Sequence, residues 1–174
     1  MDDLIITDEM EEAEKLIRTT FDPLYITGKA GTGKTTFLKY IMNKVNKKFI
    51  ITAPTGIAAI NAGGVTLHSF FGIPFGVITP ELMAKSKINK FRINVIKKMD
   101  VLVIDEISMV RPDILDFVDH QLRRIRKRDD AFGGVQLVMF GDLHQLPPVV
   151  KSDEKPILHK YYQGDYFYYF QHLS

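Results

Sequence analysis

The stretch ITGKAGTGKTTFLKY, residues 26–40, decides the fold of this 174-residue chain. An apolar run leads into a loop of small residues, which is followed by a lysine, two threonines and a helix-like pattern. The loop matches G-x-x-x-x-G-K-[ST]. Its glycines let successive backbone N–H groups point inward at a helix N-terminus and cradle phosphate oxygens. The stretch therefore predicts a nucleotide site between a strand and a helix; a glycine-rich turn with an incidental lysine is the weaker alternative.

The residues of this loop and of the first helical turn form the candidate phosphate cradle. Its members are Gly28, Ala30, Gly31, Thr32, Gly33, Lys34, Thr35 and Thr36. Lys34 is expected to pair with the β- and γ-phosphates, and the hydroxyl of Thr35 is expected to bind Mg²⁺. The motif thus predicts a Mg-nucleotide as the ligand.

Two adjacent carboxylates follow another apolar run, in VLVIDEISMV at residues 101–110. Asp105 and Glu106 stand where the predicted strand ends, at the edge where open α/β sheets bind ligands. Neighbouring side chains of a strand point in opposite directions, so the two acids are expected to have different roles. Asp105 is the candidate Mg²⁺ ligand, through water, and Glu106 the candidate base that orients the water attacking the γ-phosphate. The alternative is a pair of acids that only solvates the strand end.

A glutamine follows the next apolar run, in VQLVMFGDLHQLPPVV at residues 135–150. Gln145 carries a donor and an acceptor, which suits a sensor of the γ-phosphate, although an ordinary turn also explains it. Pro147 and Pro148 stiffen the backbone that follows. A GTPase is disfavoured, because the nearest match to its Asn-Lys-x-Asp motif, NKVN at residues 43–46, ends in Asn and lies within a predicted helix.

Short apolar runs alternate with segments of helical periodicity along the chain. Strands are predicted at 24–27, 48–53, 101–105 and 135–140, and helices at 9–18, 34–46, 56–64 and 112–128. The buried stripes of the two longer helices are predicted to be Phe37, Leu38, Ile41, Met42 and Val45, and Ile114, Leu115, Val118, Leu122 and Ile125. This alternation predicts an α/β fold with a mostly parallel sheet and helices on both faces.

Composition restricts the class of protein. Apolar residues make up 45% of the chain, as in a globular domain. The chain has no cysteine for disulfides or thiolate zinc sites, and its five histidines show no metal-ligand spacing. No apolar run has the length of a membrane span, and the first residues are acidic rather than a signal sequence. We therefore expect a cytoplasmic protein without a membrane partner, associated with the nucleoid if bacterial.

Basic residues cluster in two runs although the net charge is only +2. Residues 82–99 carry Lys and Arg but no acid, and residues 123–128 read RRIRKR. A solvated face and a nucleic-acid contact are both consistent with such runs. The second run lies at the end of a predicted helix, where cations stabilise the helix dipole, so it also has a structural explanation.

Four stretches together resemble the first RecA-like domain of superfamily-1 DNA helicases of the PIF type (petite integration frequency), which are relatives of the RecD helicases. They are GKAGTGKTT at 28–36, APTGIAAINAGGVTLHSFFG at 53–72, VLVIDEISMV at 101–110 and FGGVQLVMFGDLHQLPPV at 132–149. They stand in the family's order, and the last two are specific to this group. The resemblance implies a three-layer, RecA-like P-loop NTPase domain over residues 1–174.

The same resemblance implies a function. Such helicases hydrolyse ATP to move 5′ to 3′ along single-stranded DNA and to unwind duplexes. The lysine, threonine, acids and glutamine named above then act on Mg-ATP. Residues on the DNA-binding side would be Pro54, Thr55, Gly56, His68, Ser69 and Phe70. Small polar groups suit contacts to phosphate, and an aromatic ring can stack on a base. Core packing of Phe70 and Phe71, and a structural role of His68, are the alternatives.

The basic run falls where the family inserts a small wedge-bearing element, here about residues 74–98, which favours DNA contact there. The aromatic tail at 161–174 is more typical of an edge strand with alternate rings buried than of a DNA platform. The helix before the phosphate loop lacks the family's adenine-reading glutamine, which weakens the preference for ATP over other nucleotides.

The family's second RecA-like domain, its catalytic arginines and half of its DNA groove would lie beyond residue 174. We therefore expect this chain to be part of a longer, monomeric protein that contacts single-stranded DNA and duplex junctions, and to be nearly inactive alone. An ATP-binding switch module without motor activity is the main alternative. A P-loop kinase is disfavoured, because Glu106 would activate water in a site from which a kinase must exclude it.

Overall fold

The computed structural model describes residues 7–27, 33–141 and 151–162, and within them one parallel sheet organises the chain. Its strands are β1 (Leu24–Thr27), β2 (Phe49–Ala53), β3 (Val65–Thr66), β4 (Val101–Ile104) and β5 (Gln136–Gly141). Their order across the sheet is β1-β5-β4-β2-β3, and every pairing is parallel. Because β5 lies between β1 and β4 and all three are parallel, the carboxyl end of β5 lies between the carboxyl ends of the other two. The phosphate loop follows β1 in the sequence, and Asp105 and Glu106 follow β4.

Eight helices surround the sheet in the described part of the chain. They are α1 (Asp8–Thr19), α2 (Lys34–Lys44), α3 (Gly56–Ala62), α4 (Leu67–Phe71), α5 (Pro80–Lys85), α6 (Lys90–Lys98), α7 (Pro112–Arg126) and α8 (Lys155–Tyr161). A 3-10 turn, Ile107–Met109, follows β4. Among the described helices none combines the length and the apolar content that crossing a bilayer requires.

The side chains of β4 alternate between two cores, which makes the domain three-layered. Leu102 and Ile104 pack with α4 to α7 on one face, whereas Val101 and Val103 pack with α1 and α2 on the other. All four are fully buried, as expected for a strand covered on both faces. The predicted α/β, three-layer architecture with a parallel sheet is confirmed.

Helix α7 has the predicted apolar stripe but is covered on more of its surface than the stripe requires. All five predicted positions are buried, and four polar residues are fully buried as well, namely Asp113, Asp116, Asp119 and Gln121. Three segments cover them. Within segment 72–99 the Ile78 N–H donates to Asp113 Oδ2 at 2.8 Å, and the Gln121 amide donates to Ser86 Oγ at 3.0 Å. The Tyr162 hydroxyl, just after α8, donates to Asp116 Oδ2 at 2.6 Å, and the Phe132 N–H donates to Asp119 Oδ1 at 2.6 Å. Periodicity alone did not predict this second covering.

Some predicted details differ from the structure. Helix α2 ends at Lys44 rather than Asn46, and Met42 is 43% exposed because its side of the helix faces away from the sheet. The edge strand predicted for residues 161–174 is wrong at Tyr161, which ends α8; residues 163–174 lie outside the described part.

The RRIRKR run at the end of α7 has mainly structural contacts. The Arg126 guanidinium donates to the carbonyl oxygens of Ile96 and Met99, both at 2.9 Å, and so caps the last turn of α6. Arg123 pairs with Asp119 one helical turn earlier. The structural explanation of this run, given above from the helix dipole, therefore gains support from specific contacts.

Candidate nucleotide site and adjoining groove

Helix α2 begins at the residue that the phosphate-loop motif specifies. Gly33 precedes it in a left-handed conformation with φ of 80°, which glycine adopts without steric cost, and Lys34 is the first helical residue. Thr35 and Thr36 are exposed on the first turn, beside the carboxyl end of the sheet. The other predicted cradle residues, at 28–32, lie outside the described part of the chain.

Lys34 and Asp105 form an ion pair, although they are 71 residues apart and were predicted as site residues from two separate motifs. The Lys34 ammonium lies 2.7 Å from Asp105 Oδ1. The Asp105 side chain is only 4% exposed, whereas that of Lys34 is 34% exposed. The backbone of Asp105 is fixed by the sheet, because the Asp105 N–H donates to the Thr52 carbonyl of the neighbouring strand at 2.9 Å. The pair joins a nearly buried anion to a cation that reaches solvent.

Glu106 turns the chain sharply at the end of β4. Its backbone is left-handed, with φ of 50° and ψ of 46°, a conformation that costs roughly 1–2 kcal/mol in a residue other than glycine. Its N–H donates to Asp105 Oδ1 at 2.9 Å, so that oxygen receives both the amide and the ammonium. Such strain is typical of functional sites, where the surrounding packing holds it in place.

The end of β5 is packed tightly against the turn that follows Glu106. A Cβ added to Gly141 would lie 2.9 Å from Ile107 Cγ2, closer than real contacts allow. The absence of a side chain at Gly141 therefore permits the approach of β5 to this turn. Gln145, four residues further on, lies outside the described part.

The oxygen groups at this edge fit Mg²⁺. A hydroxyl from Thr35 and a carboxylate from Asp105 are hard ligands of the kind that Mg²⁺ takes in small number, together with water and phosphate oxygens. The near-complete burial of Asp105 beside a cation shows a carboxylate held in place to face positive charge. These two residues are the ones that would hold the ion.

A groove of about 350 Å³ opens on the other side of the 3-10 turn. Pro54, Thr55 and His68 line it, so three of the residues predicted to face DNA converge there. Its other wall includes Phe75, Met109, Arg111 and Lys151, which were not predicted. Phe75 is 99% exposed. Its neighbours Pro74 and Gly76 are turn residues, a signal that could have placed this ring on a surface loop.

Phe70 is a correction to the predicted DNA contacts. It is 1% exposed, and its ring packs edge-on against Phe71, itself fully buried, with centroids 4.9 Å apart. The Arg92 guanidinium covers the ring at 4.9 Å from its centroid. A ring enclosed in this way cannot stack on a base, so the stacking role of Phe70 is wrong and the alternative of core packing holds for both aromatic residues.

The polar candidates beside the groove differ in their partners. The Thr55 hydroxyl accepts a bond from the Ala58 N–H at 3.2 Å and so caps α3, where Gly56 is the exposed first residue. Ser69 is exposed on α4. Burial, and secondarily Arg111, lowers the pKa of His68, although Asp113 opposes this. His68 is therefore a neutral hydrogen-bonding group in the groove at pH 7.

The basic segment predicted as a wedge forms α5 and α6 and packs on α7 through Ile78, Met83 and Ile96. Its lysines at 85, 87, 90, 97 and 98 are exposed, while Arg92 covers Phe70. The segment thus carries a solvent-facing cationic surface over an apolar underside.

The fold and the site together define a class of protein. A parallel sheet, a lysine at the start of the helix after β1 and an acid after β4 in contact with that lysine are the arrangement of a P-loop NTPase. Residues 5–165 match the family model described as PIF1-like helicase. The chain belongs to the PIF1-like helicase family, which confirms the resemblance drawn from the four sequence stretches.

Individual relatives agree with this assignment. The ATP-dependent DNA helicase RRM3 of Saccharomyces cerevisiae is 42% identical over 161 residues, which are 89% of this chain and 22% of that protein. The crystal structure of Bacteroides Pif1 bound to single-stranded DNA has a TM-score of 0.90 at 56% identity, covering 96% of this chain and 39% of its own. Bacteroides sp Pif1 in complex with ADP-AlF4 gives 0.91 at 55%, covering 97% and 39%. The chain spans well under half of each relative.

Proposed function

We propose that this chain is the N-terminal motor domain of an ATP-dependent DNA helicase, which binds Mg-ATP after β1 and couples its hydrolysis to 5′-to-3′ movement on single-stranded DNA. One observation carries the proposal. Asp105, which pairs with Lys34, and its neighbour Glu106 lead directly into the turn Ile107–Met109. Met109 lines the groove that Thr55 and His68 share. The candidate hydrolytic residues and the candidate DNA surface are thus opposite ends of one short segment.

The Lys34–Asp105 pair supports nucleotide binding. The Lys34 side chain is one-third exposed and sits at the start of α2, where its ammonium can exchange its carboxylate partner for β- and γ-phosphate oxygens. Asp105, with the Thr35 hydroxyl, would then face the metal. When bound, Mg²⁺ supplies positive charge to the phosphate oxygens and to the leaving group. The described residues therefore provide a cationic side chain for the nucleotide and oxygen ligands for the metal.

Glu106 supports hydrolysis rather than binding alone. Its left-handed backbone turns it away from the path of β4, so it is free of the role that Asp105 fills. A half-buried carboxylate at this edge can orient a water and accept its proton as the water attacks the γ-phosphate. Gln145 is proposed to report on the γ-phosphate, and the loop at 28–32 to cradle the phosphates.

The groove supports contact with single-stranded DNA. Thr55 and His68 offer hydrogen bonds to phosphate or sugar without reading sequence. Phe75 offers the exposed ring that Phe70 does not, and Lys151 adds a cation on the same surface. Crystal structures of relatives with single-stranded DNA and with ADP-AlF4 agree with both halves of the proposal.

A second RecA-like domain is proposed to follow and to complete the site. Arginines from such a domain stabilise the transition state and are worth about 10³–10⁵ in rate. We expect the 174 residues alone to bind Mg-ATP weakly, to hydrolyse it very slowly and to leave duplex DNA wound.

The test is ATP hydrolysis with and without single-stranded DNA, on this chain and on a protein extended through the downstream coding sequence. Glu106→Gln in each measures the background. DNA acceleration of the extended protein, abolished by the substitution, supports the motor. Turnover that ignores DNA would contradict it and favour a nucleotide switch. Unwinding of substrates with a single 5′ or 3′ tail tests the polarity, and 3′ tails as the productive ones would overturn that part.

A further inference from the structure

Arg111 lies at the centre of a polar network that the proposed chemistry does not use. It is 8% exposed and directly precedes α7. Its guanidinium forms a two-point ion pair with Asp113, with Nε to Oδ1 at 3.0 Å and Nη2 to Oδ2 at 3.1 Å. Such paired contacts fix the orientation of both groups. An arginine at a helix N-terminus does not complement the helix dipole, which suggests that it is there for these contacts.

The same guanidinium holds the loop that carries Phe75. Arg111 Nη2 donates to the Gly76 carbonyl at 2.8 Å, and Asp113 Oδ2 accepts from the Ile78 N–H at 2.8 Å. Ile78 is fully buried in the large core, so this end of the loop is fixed. Phe75 itself is 99% exposed, so its ring has little packing of its own. The position of this ring over the groove therefore depends on the Arg111–Gly76 contact.

A further contact ties Arg111 to the segment that follows residue 150. Arg111 Nη1 donates to Glu154 Oε2 at 3.3 Å, and Glu154 Oε1 accepts from the Lys151 N–H at 3.1 Å. Lys151 and Glu154 both line the groove. The guanidinium thus holds two walls of the groove, the Phe75 loop and the start of the segment at 151.

The backbone connects Arg111 to the nucleotide edge over five residues. Glu106 precedes the turn Ile107–Met109, and Val110, 1% exposed, leads into Arg111. Val110 packs in the large core, and its N–H donates to the Ile107 carbonyl at 3.0 Å. Coupling between two sites is carried by packed and hydrogen-bonded elements that have two discrete arrangements. The turn Ile107–Met109 and Val110 join Arg111 to Glu106 directly, so this segment is the candidate for such an element.

We propose that Arg111 is a positioning residue that couples the DNA groove to Glu106, by holding the Phe75 loop and the segment at 151 against the turn after β4. This inference rests on the proposed function. Lysine keeps the positive charge that a DNA phosphate would contact, but it lacks the planar fork that serves Asp113, Gly76 and Glu154 together. Arg111→Lys therefore separates positioning from charge.

The main test measures ATP hydrolysis by the extended protein as single-stranded DNA is added. Arg111→Lys lowers the ratio of DNA-stimulated to DNA-free turnover about 5- to 150-fold, the usual range of coupling between two sites, while the KM for ATP stays unchanged. Arg128→Lys, an exposed arginine paired with Asp130, is the matched control and keeps the full stimulation. Unchanged stimulation in Arg111→Lys overturns the inference. Absence of stimulation in the unmodified protein overturns the proposed function instead.

A second variant excludes a general loss of folding. Glu154→Gln removes the negative charge that Arg111 Nη1 contacts, keeps a hydrogen-bond acceptor at this position and leaves the Asp113 pair intact. Its thermal midpoint stays unchanged, and its DNA stimulation is reduced less than that of Arg111→Lys. If Arg111→Lys instead lowers the DNA-free turnover and the thermal midpoint together with the stimulation, its role is structural and the inference fails.

A fluorescent reporter tests the connection directly, because this chain has no tryptophan. Phe75→Trp places a single tryptophan on the groove loop, and saturating Mg-nucleotide that resists hydrolysis is expected to shift its emission. The shift is lost when Arg111→Lys is added. Phe91→Trp, on the exposed face of α6, is the control and does not respond. A shift that persists without the arginine contradicts the inference.

Discussion

The nucleotide edge and the candidate DNA groove both adjoin the 3-10 turn Ile107–Met109, yet they are built differently. The described part of the nucleotide edge needs two short stretches, one at the start of α2 and one at the end of β4, joined by a single ion pair at 2.7 Å. The groove needs residues from four separated stretches, near 54, 68, 75 and 109–111, and a fifth at 151–154.

This difference explains why substitutions are expected to act differently in the two regions. At the nucleotide edge each side chain is proposed to have one chemical task, so its loss should change nucleotide binding or turnover. In the groove, packing and the proposed contact with DNA are distributed among neighbouring residues of similar type. Paired substitutions in the two regions therefore test whether the nucleotide edge and the groove differ in this way.

The largest effect is expected from Glu106→Gln in the extended protein. The amide cannot accept the proton of the attacking water, so DNA-stimulated turnover falls by about 10²–10⁴-fold. The affinity for Mg-ATP, measured with a fluorescent nucleotide analogue, stays close to that of the unmodified protein. Loss of nucleotide affinity in step with turnover would show that Glu106 serves in binding.

Two further variants, one control and one binding variant, are compared with Glu106→Gln. Glu12→Gln changes an exposed carboxylate on α1 and leaves turnover unchanged. Lys34→Met removes the cation beside Asp105 and lowers both nucleotide affinity and turnover. The contrast between Lys34→Met and Glu106→Gln separates binding from chemistry at this edge.

Phe70→Ala should produce the next largest effect, and on stability. Removing a fully buried ring costs about 3–5 kcal/mol in the free energy of unfolding. Urea denaturation followed by circular dichroism measures the loss. A change below about 1 kcal/mol would show that the ring is not enclosed as the structure has it.

Phe75→Ala should have the opposite profile. The ring is exposed, so stability is unchanged, whereas the loss of stacking on a base weakens single-stranded DNA binding by about 1–3 kcal/mol. Fluorescence anisotropy with a labelled oligonucleotide and the extended protein measures the affinity. Phe21→Ala, another exposed ring but one outside both the groove and the basic segment, is the matched control and keeps it. Equal losses of DNA affinity in both variants would contradict a specific role of Phe75 in stacking on a base.

These two phenylalanines also show what the sequence could and could not predict. Periodicity predicted the buried stripe of α7 and the layered sheet, because repeated apolar positions leave a strong local signal. Lys34 and Asp105 could be predicted as site residues, because the phosphate-loop motif and the apolar run before Asp105 are each contiguous in the sequence. Phe70 and Phe75 both stand in short aromatic, glycine-containing stretches, and only the folding of segment 72–99 over α4 decides which is buried. Arg111 left no signal, because its partners are dispersed along the chain.

The smallest effect concerns His68 and the pH dependence of stability. Burial and Arg111 lower the pKa of His68 in the folded protein, with Asp113 opposing, while the unfolded chain titrates near 6.5. Between these two values the unfolded state binds more protons, so the free energy of unfolding falls as the pH drops below about 6.5. Because His68 is only half buried, this loss is the smallest of the predicted effects.

His68→Gln cannot take up that proton and should flatten this part of the curve. Urea denaturation of the two proteins between about pH 7.5 and 5.5 measures the difference. The shift at His120, whose pKa burial also lowers, is present in both proteins and cancels in the comparison. Parallel curves would show that Asp113 offsets burial at His68, and that the groove is more polar than its apolar lining indicates.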